Sequence, residues 1–165
     1  MKWMGTVFLA VGSFLLWQKR VFHERRKITV LKEMAQAISF MAGEIRCSLT
    51  PLPKLVRLCR QRYTGDAAEF FLVVERGLNG GISLQKAWEK AVAEVSIPSG
   101  GAKDALMGLG AAFLHDEEAV LRHLAETERR LKEELDERRS EQREKEKLWA
   151  VFCASGAGLL WLTVI

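Results

Sequence analysis

The sequence predicts an all-α protein: a membrane-anchored helical bundle of about five to six helices, flanked by N- and C-terminal transmembrane helices. Apolar residues recur at helical spacing through the middle of the 165-residue chain. A long apolar run lies at each end, and proline, glycine, serine and threonine mark the central helix boundaries. We therefore divide the chain into an N-terminal transmembrane helix (1–22), a cytoplasmic helical bundle with a long charged final helix (23–147) and a C-terminal transmembrane helix (148–165).

The first apolar run, Trp3–Trp17, has fifteen uncharged residues. As a helix it would measure about 22 Å, less than the roughly 30 Å of a bilayer core. Met1, Val21 and Phe22 extend it if Lys19 and Arg20 reach out to the lipid headgroups. A cleaved signal peptide is the alternative, but we favour an uncleaved anchor because the basic cluster follows the apolar run instead of preceding it.

The second apolar run, Leu148–Ile165, has 18 residues and would measure about 27 Å as a helix. A buried core helix is the alternative, but a strongly polar helix leads into the run without a turn, which favours a membrane span. Tryptophans lie near the ends of both runs, where indole rings favour the membrane–water boundary: Trp3, Trp17, Trp149 and Trp161.

The formal net charge of +4 arises in one short segment. Residues 18–27 contain five basic side chains and one acidic side chain, Glu24, and the charges of the remaining chain balance. Because this excess follows the first span, it predicts that the middle of the chain is cytoplasmic and can contact anionic lipid. A nucleic-acid-binding protein would need a basic face on its folded domain, so we expect no nucleic-acid partner.

The first central helices follow from apolar stripes and capping residues. The stripe of the first one consists of Leu31, Met34, Ala35, Ile38, Met41 and Ala42, continued by Ile45 and Leu49. Thr50 and Pro51 are predicted as the N-cap and first residue of the next helix, and Thr64 as the N-cap of a third. The segment Phe70–Val74 alone could form a strand, but its polar flanks favour a helix.

Glycine, serine and proline mark the second half of the bundle. Asn79-Gly80-Gly81 ends the third helix and Ser83 caps the fourth. Pro98–Gly101 predicts a loop, Ala102–Leu114 a short apolar helix, and Asp116 the start of the last helix. The predicted buried stripe of this last helix is Val120, Leu124, Thr127, Leu131 and Leu135.

Beyond that stripe, residues 136–147 of the last helix form a charged run. The simpler interpretation is a solvated helix stabilised by i,i+4 pairs such as Glu134–Arg138 and Glu141–Lys145. The alternative is a stalk or a partner-facing surface.

Little in the sequence supports catalysis. His115 and Asp116 resemble paired ligands of metal-dependent phosphohydrolases, but the nearby His123 is eight residues from His115, not the four that place two imidazoles on one metal. No P-loop motif is present. We predict a non-enzymatic protein without catalytic residue, metal or cofactor, with a membrane-bound metal-dependent enzyme as the less favoured alternative. The cysteines are interpreted as buried free thiols in a reducing compartment: Cys47, Cys59 and Cys153.

Several motifs occur in a specific order along essentially the whole chain. They are the N-terminal anchor with its basic flank, Glu44-Ile45 before Thr50-Pro51-Leu52, Leu78-Asn79-Gly80-Gly81 before Ala87-Trp88-Glu89, and Asp116 with His123-Leu124 before the charged helix and terminal span. Because these motifs occur in this order, the chain resembles the stage III sporulation protein AB family of endospore-forming bacteria. The cytoplasmic domain of such proteins is similar to the type II secretion system F domain, an inner-membrane platform that meets a secretion ATPase.

The resemblance implies a non-enzymatic membrane platform subunit of the mother cell–forespore channel or secretion-like complex needed for endospore formation. It implies the outer forespore membrane on the mother-cell side as the location, with the bulk of the domain cytoplasmic. The implied partners are other stage III sporulation proteins, including a secretion-type ATPase, besides the lipid bilayer, and self-association into a homo-oligomer stays open.

As candidate partner contacts we select Glu44, Arg46, Thr50 and Asp116. Each of them has an alternative interpretation as a cap or a solvated side chain. A self-associating membrane scaffold unrelated to sporulation is the alternative function.

Overall fold

The computed structural model describes the backbone of residues 2–48, 50–98 and 100–164, and the side chains of residues 24–48, 50–98 and 100–148. Within these ranges the fold has six helices and no strand, which confirms the all-α prediction. The helices are α1 (Lys2–Ser48), α2 (Leu52–Arg62), α3 (Gly65–Asn79), α4 (Leu84–Glu94), α5 (Gly101–Ala112) and α6 (Glu117–Val164).

Two long helices, α1 and α6, form an antiparallel pair of 47 and 48 residues. The direction follows from two contacts: Arg25 forms an ion pair with Glu146, whereas Ile45 and Val120 line the same groove. We call the end of the bundle at which α1 ends and α6 begins the far end. The opposite end, marked by the Arg25–Glu146 pair, is the base.

The predicted apolar stripes of α1 and α6 are buried, and both predictions are confirmed. On α1 the buried residues include Leu31, Met34, Ala35, Ile38, Met41, Ala42 and Ile45. On α6 they are Val120, Leu124, Thr127, Leu131 and Leu135. The hydroxyl of Thr127 donates a hydrogen bond to the carbonyl of Ala105, at 3.4 Å, so this buried polar group has a partner.

Helices α3, α4 and α5 pack around the indole of Trp88. Its ring meets Phe70 and Phe113 edge to face, with centroids 4.8 and 5.0 Å apart. Its N–H donates to the carbonyl of Leu106 at 2.8 Å, which satisfies the polar end of a fully buried side chain. Gly110 lets α5 approach, since a Cβ there would lie 3.1 Å from the indole.

The predicted N-cap at Thr50 is wrong. Pro51 occupies the N-cap position with extended backbone (φ −60°, ψ 139°), and Pro53 lies in the first turn of α2. The carbonyl of Pro51 accepts hydrogen bonds from the amides of Lys54 and Leu55 at 2.9 and 3.1 Å. Pro53 supplies the preset φ of the first turn, so the helix begins at Leu52, one residue later than predicted, and the N-cap position moves from Thr50 to Pro51.

The other helix boundaries agree with the sequence to within a few residues. Thr64 is the N-cap of α3 by backbone position but makes no capping hydrogen bond through its side chain. The hydroxyl of Ser83 accepts from the amide of Lys86 at 3.4 Å and caps α4 as predicted. After Gly80, Gly81 adopts a left-handed backbone (φ +79°), a conformation that favours glycine. The predicted stripe residue Leu49 lies outside the described residues.

The membrane spans are not tested by the part of the chain whose side chains are known. No helical segment in that part is long and apolar enough to cross a membrane. The predicted spans, residues 1–22 and 148–165, lie outside it except for Leu148. The domain division at residues 22 and 147 therefore stays a prediction.

Candidate functional site

The far end gathers three connections between helices. The α1–α2 and α5–α6 connections lie there by definition, because α1 ends and α6 begins at this end. The α3–α4 connection points the same way, since α3 begins near the base, where Asp66 binds Arg26, and runs away from it. Loops supported by packed helices are where binding residues concentrate, so this end is the first place to look for a site.

A groove of about 260 Å³ opens between the α1–α2 and α5–α6 connections. Its wall is mainly apolar and consists of Ile45, Thr50, Pro51, Leu52, Phe113, His115, Glu117 and Val120. Between two of these wall residues, the side chain of Leu114 is 69% exposed. Leu114 adjoins these residues in sequence and is not itself part of the groove wall.

Acidic residues follow the groove along the start of α6. Asp116, Glu117 and Glu118 are all exposed, and Glu117 and Glu118 lie in the first helical turn. Their carboxylates are stabilised there by the positive end of the helix dipole. They give the edge of the groove a negative charge.

The structure brings the four predicted contact residues to the same end of the bundle. Thr50 is half-buried in the groove wall. Asp116 is exposed between two wall residues, and Glu44 and Arg46 flank the wall residue Ile45 on α1. Their proposed contacts with a partner remain a prediction.

The histidines are not gathered into a metal site within the described part of the chain. His115 lies in the groove wall and His123 is exposed further along α6. No group of three or more histidine, cysteine, aspartate or glutamate side chains that could hold a metal ion occurs among the residues with described side chains.

The two cysteines whose side chains are described differ in burial. Cys59 is buried, and burial raises the pKa of its thiol to about 12, so it stays protonated at neutral pH. Cys47 is exposed, which makes the expectation of a buried thiol wrong at this position, because it lies on α1 beyond the buried stripe that ends at Ile45. Cys153 lies outside the described side chains.

The charged part of α6 is stabilised by pairs along the helix, as predicted. Glu134 binds Arg138 at 2.8 Å and Glu141 lies 3.7 Å from Lys145. Hydrogen bonds from Arg129 and Arg130 lower the pKa of the Glu126 carboxyl to about 2. The pairs that involve Arg138 and Lys145 support the interpretation of residues 136–147 as a solvated helix.

One polar contact escaped the sequence analysis. Glu134 also accepts a hydrogen bond from the amide of Ala102, at 2.7 Å, and so caps the first turn of α5 from a neighbouring helix. Gly100 makes the approach feasible: its φ of +146° favours glycine, and a Cβ there would lie 3.0 Å from the carboxylate. Gly100, directly before α5, was the sequence signal for this close approach.

The base holds charged residues of the predicted basic flank in ion pairs. Besides Arg25–Glu146 at 3.7 Å, Arg26 binds Asp66 of α3 with an Nε–Oδ2 distance of 2.9 Å. Lys27 pairs with Glu24 at 2.8 Å. Hydrogen bonding from these cations lowers the pKa values of the Asp66 and Glu24 carboxyls. Part of the basic flank thus joins α1 to α6 and α3.

Fold and site together define an all-α bundle protein with a long antiparallel helix pair and an open, acidic-edged groove at its far end. The chain belongs to the stage III sporulation protein AB family, whose family model matches residues 2–165. This confirms the resemblance and gives the protein a role in sporulation.

A solved structure, that of a stage III sporulation protein AB, is similar to this chain. The two sequences are 19% identical, the match covers 71% of this chain and 94% of that chain, and the TM-score is 0.61. At this identity the likeness shows the shared fold. A search of curated proteins found no match.

Proposed function

We propose that this protein is a non-enzymatic platform subunit of the mother cell–forespore channel or secretion-like complex that endospore formation requires. Family membership supports a place among the stage III sporulation proteins. The open groove at the far end is the observation that carries the proposal, because its mainly apolar wall offers a surface to which another protein could bind.

In this proposal both terminal segments, residues 1–22 and 148–165, cross the outer forespore membrane. Their apolar composition and the basic residues that follow the first segment support this topology. Helices α1 and α6 lead from the bundle towards the two termini at the base, so the base would face the bilayer. The far end would then project into the mother-cell cytoplasm.

The mechanism is positional. The spans would hold the bundle at a fixed place on the membrane while the far end binds other stage III sporulation proteins, including a secretion-type ATPase. Glu44, Arg46, Thr50 and Asp116 are the proposed contacts around the groove. A platform of this kind accelerates no reaction of its own and acts by bringing partners together.

The function is tested in an endospore-forming strain that lacks this protein. Expression of the full chain should restore heat-resistant spore counts, and the tagged chain should co-purify with the secretion-type ATPase from sporulating cells. Normal sporulation without the protein, or purification of the chain as a self-associated species without any other stage III sporulation protein, would overturn the proposal and favour the unrelated scaffold.

The topology is tested with single cysteines in a background without the native ones (Cys47→Ser, Cys59→Ala, Cys153→Ala), expressed in non-sporulating cells. A membrane-impermeant maleimide should label Lys2→Cys in intact cells, and Lys90→Cys only after the cells are permeabilised. Lys90 suits the test because it is exposed on α4. Labelling of Lys90→Cys in intact cells would contradict the proposed orientation.

A further inference from the structure

We propose that the outward side of α5 is a contact surface between two copies of this chain that stand side by side on one membrane. This surface consists of Met107, Gly108 and Ala111, continued by Leu114 directly after the helix, and we call it the α5 face. The contact is additional to the proposed platform function. It uses only the topology proposed above, in which every copy has its base towards the bilayer.

The sequence of α5 is apolar on both sides of the helix. Its two charged residues, Lys103 and Asp104, lie near its start, and the ten residues from Ala105 to Leu114 carry no charge. Helices α2, α3 and α4 each contain four charged side chains. A helix that is apolar all round is normally covered on all sides.

The bundle covers only the inner side of α5. There Leu106 and Leu109 are buried. On the α5 face the side chains of Met107 and Leu114 are 41% and 69% exposed, and the two small residues between them are exposed as well. Met107, Ala111 and Leu114 follow one another at intervals of four and three residues, so they form one stripe along the helix. An exposed apolar stripe of this kind indicates a contact surface.

The α5 face points sideways from the bundle. The Ala102 amide donates to Glu134, and the Thr127 hydroxyl donates to the Ala105 carbonyl, so α5 lies antiparallel to α6. Because α6 leads to the base, the sides of both helices face along the plane of the membrane in the proposed topology. Two copies related by a twofold axis along the membrane normal would therefore place their α5 faces against each other.

The terminal helical segments of the same chain do not cover the α5 face. The backbone of residues 2–22 and 149–164 continues α1 and α6 beyond the base. Leu148 lies about 32 Å along α6 from Thr127, at 1.5 Å per residue. Since Thr127 is in contact with α5, these segments lead away from the α5 face.

The charges beside the α5 face are nearly balanced. Three arginines and four glutamates line the surface between the start of α5 and α6: Arg129, Arg130, Arg138, Glu133, Glu134, Glu137 and Glu141. Lys103 and Asp104 add one charge of each sign. A partner with rim charges of a single sign would find no matching field here, whereas two copies would not repel each other. This balance favours a second copy as the occupant.

The size of the α5 face suits a contact that forms only on a membrane. Met107 and Leu114 are about 10 Å apart along the helix axis, and the helix is about 10 Å wide. This strip is much smaller than the roughly 800 Å² that each partner of a stable complex buries. Attachment to one membrane raises the effective concentration of the two copies, so that a weak contact is populated there.

The contact is tested by disulfide cross-linking of the full chain in liposomes at a low ratio of protein to lipid. The native cysteines are replaced (Cys47→Ser, Cys59→Ala, Cys153→Ala), and copper phenanthroline is the oxidant. Ala111→Cys should form a covalent dimer at least about fivefold faster than Ala125→Cys.

Ala125 is the matched control position because it is also an exposed alanine. It lies two residues from Thr127, or about 200° around α6, and therefore faces away from α5. Met107→Cys and Leu114→Cys test the direction of the helices. Both should link to their own copies, because parallel helices bring every stripe residue opposite itself. Linking at only one of these two positions would overturn the side-by-side arrangement.

The apolar nature of the contact is tested with Met107→Asp in the Ala111→Cys chain. Cross-linking should slow about fivefold, since a charge replaces an apolar contact residue. Ile82→Asp is the matched control, because it puts the same charge on a residue that is 39% exposed in the α3–α4 connection. It should change the rate less than about twofold. Met107→Lys repeats the test with the opposite charge, and circular dichroism verifies that the helices of every variant are intact.

The outcomes separate this contact from the platform function. If Ala111→Cys links no faster than Ala125→Cys, or if Met107→Asp and Met107→Lys both leave its rate unchanged, the contact is wrong. If Ala111→Cys links only to a different protein in sporulating cells, that protein is the occupant and the inference is overturned. The liposomes contain no other sporulation protein, so their result does not depend on the spore counts and co-purification that test the platform function.

Discussion

Along α6, residues 117–135 bury five side chains against the rest of the bundle, whereas residues 136–148 bury none of the side chains that the structure describes. The first part is stabilised by removal of apolar surface from water. The second part depends on pairs such as Glu141–Lys145 and on the contact of Glu146 with Arg25. One uninterrupted helix thus combines two sources of stability that respond differently to substitution, acid and salt.

The largest effect is expected in the packed part. Leu131→Ala removes most of a fully buried side chain and should lower the free energy of unfolding by about 2–5 kcal/mol. Thermal unfolding of the detergent-solubilised full chain, followed by circular dichroism, measures the loss. Leu131→Met conserves the volume and should cost less than about 1.5 kcal/mol. Equal stability of Leu131→Ala and the unchanged chain would contradict the burial of this residue.

A smaller effect is expected where the two parts meet, at Glu134. Glu134→Ala removes the cap of α5 and the partner of Arg138 together, which should cost about 1–2 kcal/mol. Glu134→Gln keeps an oxygen that can accept from the Ala102 amide and should recover part of the loss. Hydrogen exchange at residues 101–104 reports the cap directly, so unchanged exchange in Glu134→Ala would rule out the proposed role.

Acid should act on the charged contacts and leave the apolar packing unchanged. Hydrogen bonds from basic side chains lower the pKa values of Glu24, Asp66 and Glu126, the last to about 2. Carboxyls with depressed pKa values stabilise the fold above their ordinary value of about 4, and this contribution is lost as the pH falls towards the folded-state pKa. Glu33, whose pKa is raised by burial, acts in the opposite direction.

The unfolding temperature should therefore change little between pH 7 and 5 and fall by several degrees between about pH 4.5 and 2. The unfolding temperature of Leu131→Ala should depend on pH in the same way but be lower throughout, because apolar packing involves no titratable group. A rise in unfolding temperature on acidification would show that raised carboxyl pKa values outweigh the lowered ones.

The smallest effect belongs to the exposed pair Glu141–Lys145, whose side chains are about two-thirds exposed. Glu141→Ala should change the free energy of unfolding by no more than about 0.5 kcal/mol, because exposed pairs of this kind are weak and alanine favours helix. The same thermal measurement in low and high salt tests this. A loss as large as that of Glu134→Ala would mean that the charged part of α6 is packed against another surface.

The same two parts of α6 illustrate what a sequence can predict. The stripe from Val120 to Leu135 was predictable because helical spacing and burial are local and periodic signals. The contact between Glu134 and Ala102 was not, because it joins residues 32 positions apart and leaves no periodic pattern. The groove likewise depends on two connections that only the fold brings together.

Errors in the sequence analysis arose where local signals compete. Thr50 is a good capping residue next to a proline, yet a second proline shifts the start of α2 and moves the cap to Pro51. Cys47 lies on α1 just beyond Ile45, the last residue of its buried stripe, so its exposure depends on where that helix passes the end of the core. The family resemblance depended on the order of short motifs along the chain. This order does not change when a helix starts one residue later or a side chain is exposed.

The antiparallel arrangement of α1 and α6 has a mechanical consequence. Because the chain enters and leaves the bundle at the base, the two terminal segments start within about one helix diameter, roughly 10 Å, of each other. A domain attached through one flexible linker can rotate freely, whereas a domain attached through two adjacent rigid helices resists both rotation and tilting. In the proposed topology, the two terminal helices would jointly resist a load applied to the far end.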